Sequence, residues 1–164
     1  MRVYVPLTLS ALARAHEAGE LAGGPVTAYA VTPALRDWYG SEDQEELEYA
    51  ALGRAAGASL RLLAEDPEAV RRRVVLAVDV PDSAAHADPD PSSAGEVRVE
   101  GAVRMAKAAA VHADAADAAE AVAAATEALT AADRGDREAA SVVDGAEDHE
   151  LLWFARQEIP DLLA

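Results

Sequence analysis

The chain has 164 residues and a formal net charge of −16, with fourteen Lys and Arg residues against thirty Asp and Glu residues and no cysteine. A surface this acidic repels phosphate groups and anionic lipids, so we expect neither nucleic acid nor a membrane as a partner. The lack of cysteine excludes disulfides, thiolate metal sites and cysteine nucleophiles, and it suits a reducing compartment. No signal sequence is recognisable and no apolar run approaches the roughly 20 residues that cross a bilayer, so we expect a cytoplasmic protein.

The first eighty residues predict three strands and three helices. In chain order these are a strand at 3–7, a helix from about 9 that ends near Gly19 or the Gly23-Gly24 pair, a strand at 26–31, a helix from 33 to Trp38, a helix from about 41 to 65, and a strand at 74–80. Thr8 or Ser10 fits the N-cap of the first helix, and Tyr49 and Leu60 fall on the core-facing side of the longest one. The β-branched run at 74–80 is typical of a strand covered on both faces, so we place it centrally in the sheet.

The middle of the chain is less regular. Residues 81–95 consist largely of Pro, Asp, Ser and Ala without a period, which predicts a flexible, solvated loop. Segments 97–99 and 103–112 predict two more strands, joined as a hairpin at Glu100-Gly101, although the alanines leave helix open for the second. In the preceding long helix, the glycines at 53 and 57 predict close packing, and Trp38 is expected in the core.

Residues 114–150 are strongly acidic, with eleven Asp and Glu side chains against two arginines. The pattern from Asp114, interpreted as an N-cap, to Leu129 is helical, and the charge predicts a face in water. Arg134-Gly135-Asp136 then indicates a turn that caps a further helix.

The most distinctive stretch runs from Asp144 to Phe154. Asp144 followed by Glu147 fits a capping box, and the apolar residues beyond it fall on one third of a helical wheel. These core-facing residues are Leu151, Leu152, Ala155 and Ile159. The pattern therefore predicts a C-terminal helix, with Trp153 and Phe154 on its flanks, that closes the core or offers an aromatic side chain to a partner.

Two groups of residues are candidates for binding. In the predicted C-terminal helix, His149, Trp153 and Arg156 are spaced so that they share one strip, a composition typical of interaction surfaces. The alternative is that the arginine stem covers a half-buried indole. The neighbouring residues Asp148-His149-Glu150 point about 100° apart on a helix and cannot converge on one ion, so we expect no metal site.

The second candidate is the basic run Arg71, Arg72 and Arg73, which precedes the central strand. At the lip of a sheet these side chains could contact the phosphate or carboxylate of a ligand, whereas the alternative is ion pairing with Asp66 and Glu68. The phosphate-binding glycine loops and the serine nucleophile elbow are absent from the sequence. We therefore expect no catalytic residues and no cofactor.

Three features are distinctive at the sequence level: the opening Met1-Arg2-Val3-Tyr4-Val5-Pro6, the segment from Val143 through Phe154 to Ile159, and an alanine- and arginine-rich composition with a single lysine. In these features the sequence resembles a family of small acidic proteins from high-GC actinobacteria. That family has no assigned activity. The resemblance therefore implies a bacterial cytoplasmic setting without a reaction, and no functional residue is carried over.

Together these patterns predict one α+β domain over residues 1–164. We expect an α/β sandwich of two layers, with a mixed sheet of about five strands and helices mainly on one face. The leading functional hypothesis is a non-enzymatic interaction or regulatory protein that meets a protein partner through its C-terminal helix or its acidic face. The alternative is a small enzyme or anionic-ligand-binding domain that uses Arg71 to Arg73, His149 and nearby carboxylates.

Overall fold

The computed structural model describes residues 1–21 and 23–164 of the chain. The strands are β1 Arg2–Leu7, β2 Glu20–Leu21, β3 Val26–Tyr29, β4 Val74–Asp79, β5 Ala85–Ala87, β6 Glu96–Val99, β7 Val103–Arg104, β8 Ala108–Ala113 and β9 Leu152–Ala155. The helices are α1 Leu9–Ala18, α2 Pro33–Tyr39, α3 Gln44–Glu65, α4 Ala119–Asp133, α5 Arg137–Glu147 and α6 Ile159–Leu163. The α+β class predicted from the sequence is confirmed.

Seven of the strands form one sheet in the order β5-β6-β3-β1-β4-β8-β9. Every neighbouring pair in it is antiparallel. The sheet therefore has seven strands where about five were expected, and it is antiparallel throughout where a mixed sheet was expected. Strand β4 lies between β1 and β8 and is buried on both faces, as its β-branched run predicted. Strands β2 and β7 form a separate two-stranded ribbon.

In the described residues, helices cover both faces of the sheet, with α2 to α5 on one side and α1 and α6 on the other. On the first side α2 and α3 pack on alternate residues of the central strands, Tyr4, Val75 and Ala77 among them. Helices α4 and α5 pack beside the C-terminal half of α3, while α1 and α6 cover the opposite face. No helix in the described part of the chain is long and apolar enough to cross a membrane.

The predicted helix ends in the first half of the chain are largely confirmed. The Thr8 side chain accepts a hydrogen bond from the amide of Ala11 at the start of α1, and α1 ends at Gly19 with a positive φ. Thr32 caps α2 ahead of its first-turn proline in the same way. These helix starts can be predicted from the local sequence, because each capping side chain accepts its hydrogen bond from an amide only three residues further along the chain.

The predicted C-terminal helix is wrong. Helix α5 begins after Asp136 and ends at Glu147, so Asp144 lies inside it and does not cap it. Residues 152–155 form strand β9, which pairs with β8, and a helix resumes at α6. Without β9 the outer edge of β8 would lack backbone partners, and Trp153-Phe154 are residue types that favour strands.

Four other expectations also differ from the structure. Strands β6 and β8 do not form a hairpin, because β6 pairs with β3 and β5 whereas β8 pairs with β4 and β9. Asp114 does not cap a helix but is buried beside β4. The aromatic side chains of Trp38 and Tyr49, which were expected in the core, are each 63% exposed. Residues 81–95, expected to be a loop, contribute strand β5 to the edge of the sheet.

Candidate functional site

The three consecutive arginines at 71–73 separate into three different environments. Arg71 donates to the main-chain carbonyls of Leu63 and Asp66 at the end of α3, where free carbonyl groups need donors. The Nε of Arg72 donates to the carbonyl of Asp114 at 2.8 Å, and its guanidinium lies 6.0 Å from the ring centroid of Phe154. The alternative of ion pairing with Asp66 and Glu68 is wrong for the described residues, because the contact of Arg71 with Asp66 is to the main-chain carbonyl and no ion pair with Glu68 forms there.

Arg73 forms a buried ion pair with Asp114. The two side chains are 4% and 1% exposed, and Nη2 of Arg73 lies 2.7 Å from Oδ1 of Asp114. The Nε of Arg73 and its main-chain amide both donate to Oδ2. Nη2 also donates to the main-chain carbonyl of His149 at 2.8 Å. The remaining nitrogen, Nη1, has no hydrogen-bond partner within residues 1–21 and 23–164.

A groove with a volume of about 720 Å³ opens between α3 and the segment 147–151. The wall on the α3 side includes Tyr49, Leu52 and Arg54, and Arg73 and His149 also line the groove. The structure thus brings two of the predicted site residues, Arg73 and His149, into one concave site.

A hydrogen bond from the hydroxyl of Tyr49 to a carboxylate oxygen of Glu150, at 3.0 Å, joins the α3 wall of this groove to the segment 147–151. This hydrogen bond to a carboxylate, with the nearby negative charge, raises the pKa of Tyr49. The exposed part of the groove lining is acidic, because it includes Glu46, Glu147 and Glu150. The basic residue Arg73, which also lines the groove, is buried.

Arg54 is the groove residue that sequence reasoning missed. Its Nε is buried and has no hydrogen-bond partner in the described part of the chain, and its guanidinium lies 5.8 Å from the ring centroid of Trp38. Gly53 and Gly57 line the groove on either side of it. A Cβ at either glycine would meet no atom within 4 Å, so the predicted close packing at these positions is wrong. The glycine pair was the available sequence signal for an open surface.

Trp153 lies outside this groove, on the outermost strand. It pairs with His112 across β8 and β9, which places it on the same face of the sheet as α3. Its side chain is 62% exposed and that of its neighbour Leu152 is 48% exposed. Arg156 follows the strand, donates from Nη1 to the carbonyl of Ala106, and lines a different, smaller cavity. The helical strip of His149, Trp153 and Arg156 is therefore not formed.

Within residues 1–21 and 23–164, no three His, Asp or Glu side chains come close enough together to hold a metal ion. The chain matches no curated protein and no solved structure. The model of a family of unknown function, DUF6912, matches residues 1–163. The match spans nearly the whole chain, and the protein belongs to this family.

Proposed function

We propose that the protein is a non-enzymatic interaction protein that binds an extended segment of a protein partner along strand β9. The observation that carries the proposal is the exposure of Leu152 and Trp153 on the last strand of the sheet. An end strand presents main-chain groups that a second strand can pair with, and exposed apolar side chains on it supply the contact area. The strand takes the place of the C-terminal helix that was expected to bind a partner.

The main chain of β9 favours such pairing at Trp153. The amide of Ala155 donates to the carboxylate of Glu158 at 2.7 Å, so it points away from β8. Because the direction of main-chain groups alternates along an antiparallel strand, the amide and carbonyl of Trp153 point outward as well. At the C-terminal end of β9, the outward amide of Ala155 already donates to Glu158. A partner strand therefore cannot pair with that amide, which limits the length of the strand that can be added.

The negative charge of the chain near β9 favours a basic partner. In the sequence, Glu150 precedes the strand and Glu158 follows it, and the acidic segment 114–150 leads up to it. A second copy of this chain would bring another net charge of −16 to the same edge, whereas a basic segment would be attracted. The occupant is therefore an extended, lysine- or arginine-containing segment of a different protein.

We also infer an actinobacterial, cytoplasmic setting for this interaction. It is supported by the absence of cysteine and by the alanine- and arginine-rich, lysine-poor composition.

A photo-crosslinking amino acid placed at position 153 tests the proposal in living cells. The matched control is the same substitution at position 38, because Trp38 is equally exposed at 63% but lies on helix α2 and not on strand β9. We expect one dominant adduct at position 153 that is absent at position 38 and that maps to a basic segment of the partner. A synthetic peptide of that segment should then bind the purified protein at least ten-fold more weakly after Trp153→Ala.

Equal adducts at both positions, no adduct, or an adduct between two copies of this chain would overturn the proposal. So would a peptide affinity that is unchanged by Trp153→Ala or by added salt, since an acidic site for a basic segment must weaken as charges are screened.

A further inference from the structure

We propose that the groove between α3 and segment 147–151 is a binding site for a small aromatic carboxylate. The groove does not include Trp153, so the site is separate from the strand edge proposed above for a protein partner. Its volume of about 720 Å³ lies in the range of sites that enclose small organic ligands, roughly 300–1,000 Å³.

Two glycines in α3 indicate that the groove is kept open. Gly53 and Gly57 are four residues apart, so they lie on the same face in the interior of a 22-residue helix. Each costs about 1 kcal/mol of helix stability relative to alanine. Packing does not require them, because no atom lies within 4 Å of a Cβ built at either position. Side chains at 53 and 57 would project into the groove that both residues line.

Two arginines supply donors for an anion. The Nε of Arg54 is buried without a hydrogen-bond partner in the described part of the chain, and leaving such a donor unsatisfied is costly. The side chain of Arg73 is 4% exposed, and its Nη1 is the one guanidinium nitrogen that neither Asp114 nor His149 accepts from. Both residues line the groove, and guanidinium groups match the geometry of a carboxylate.

The rest of the lining fits an aromatic ring and a single negative charge. Tyr39, Tyr49, Leu52 and Leu151 contribute apolar and aromatic surface. Glu46, Glu147 and Glu150 are exposed at the same groove, and their repulsion of an anion grows with the charge of the ligand. At this rim a monoanion therefore meets less repulsion than a dianion does.

Ligand-observed NMR on the purified full-length chain tests the site with a panel of about thirty aromatic carboxylates, each paired with its neutral amide. We expect at least one carboxylate to bind saturably and at least ten-fold more tightly than its amide. Arg54→Gln should remove that difference, and Gly53→Phe should block both members of the pair by filling the groove. Gly145→Phe is the matched control, because Gly145 lies inside helix α5 with no atom within 4 Å of a built Cβ and does not line the groove; it should bind like the wild type.

Circular dichroism and the thermal midpoint establish that each variant is folded, and Trp153→Ala should leave ligand binding unchanged. Failure of every carboxylate to bind, equal binding of carboxylates and amides, or wild-type binding by Gly53→Phe would overturn the site. None of these outcomes bears on the strand edge, which the cross-linking experiment tests independently.

Discussion

At the residue scale, the ion pair of Arg73 and Asp114 is buried, with both side chains at most 4% exposed. Both groups are removed from water, which costs several kcal/mol for each ion. Five hydrogen-bond contacts offset this cost: four reach the carboxylate of Asp114, two of them from the Nε of Arg73, and one reaches the carbonyl of His149. The last of these holds the segment 147–151 against the sheet, so the pair also fixes one wall of the groove.

Asp114→Asn should lower the free energy of unfolding by about 3–5 kcal/mol, because it leaves a buried guanidinium without its counter-charge. Urea unfolding followed by circular dichroism measures the loss. The matched control is Asp133→Asn, which breaks a pair with Arg61 whose side chains are about half exposed. It should change stability little, because solvent screens such pairs. If Asp114→Asn and Asp133→Asn both changed the free energy of unfolding by a similar, small amount, burial would not be the reason that the Arg73–Asp114 pair stabilises the fold.

The sequence could not have identified this pair. Arg73 and Asp114 are separated by 41 positions, and an aspartate before a helical pattern is also a normal N-cap. Burial, which distinguishes the two roles, depends on β4 and β8 lying side by side. The same applies to the groove, whose arginines at 54 and 73 meet His149 only in the folded chain.

At the element scale, Ser59 connects one helix to two strands. Its side chain is fully buried in α3, where Oγ donates to the carbonyl of Leu7 at 2.8 Å and accepts from the amide of Val74 at 3.0 Å. Leu7 and Val74 are paired at the ends of β1 and β4. The hydroxyl therefore satisfies main-chain groups where both strands meet the helix.

Ser59→Ala should destabilise the protein by about 1–3 kcal/mol, because two buried main-chain groups each lose a hydrogen bond. Ser141→Ala is the matched control, since Ser141 is an exposed serine inside helix α5. Alanine has the higher helix propensity, so this control should be neutral or slightly stabilising. Equal unfolding midpoints in urea for the two variants would rule out a bridging role for Ser59.

Helices and strands whose sequence contains a cap or an uninterrupted β-branched run were predictable. Strand β9 shows where such local sequence patterns are not sufficient. Helices α1 and α2 carry their caps within three residues of the first turn, and β4 carries an uninterrupted β-branched run. In the C-terminal stretch, the spacing of Leu151, Leu152 and Ala155 equally fits a helix. The free edge of β8 decides in favour of a strand, and that edge is a property of the assembled sheet.

At the scale of the whole molecule, the large negative net charge makes electrostatic repulsion within the folded chain important. A net charge of −16 on 164 residues makes the folded chain repel itself, and this repulsion weakens as salt shortens the Debye length from about 30 Å at 0.01 M to about 8 Å at 0.15 M. Compaction brings like charges together, so repulsion penalises the folded state more than the unfolded one. Salt should therefore stabilise this protein.

Raising NaCl from 0.01 to 0.15 M at pH 7 should increase stability by about 1 kcal/mol, which corresponds to a rise in thermal midpoint of about 2–4 °C for a chain of this length. Glu127→Lys, at an exposed position inside α4, should raise the midpoint at low salt and reduce its dependence on salt, whereas Glu127→Gln should do so about half as strongly. At pH 4.4, close to the isoelectric point, the net charge is near zero and the salt effect should largely disappear. A midpoint at pH 7 that falls with salt, or a salt effect of the same size at both pH values, would contradict self-repulsion as its cause.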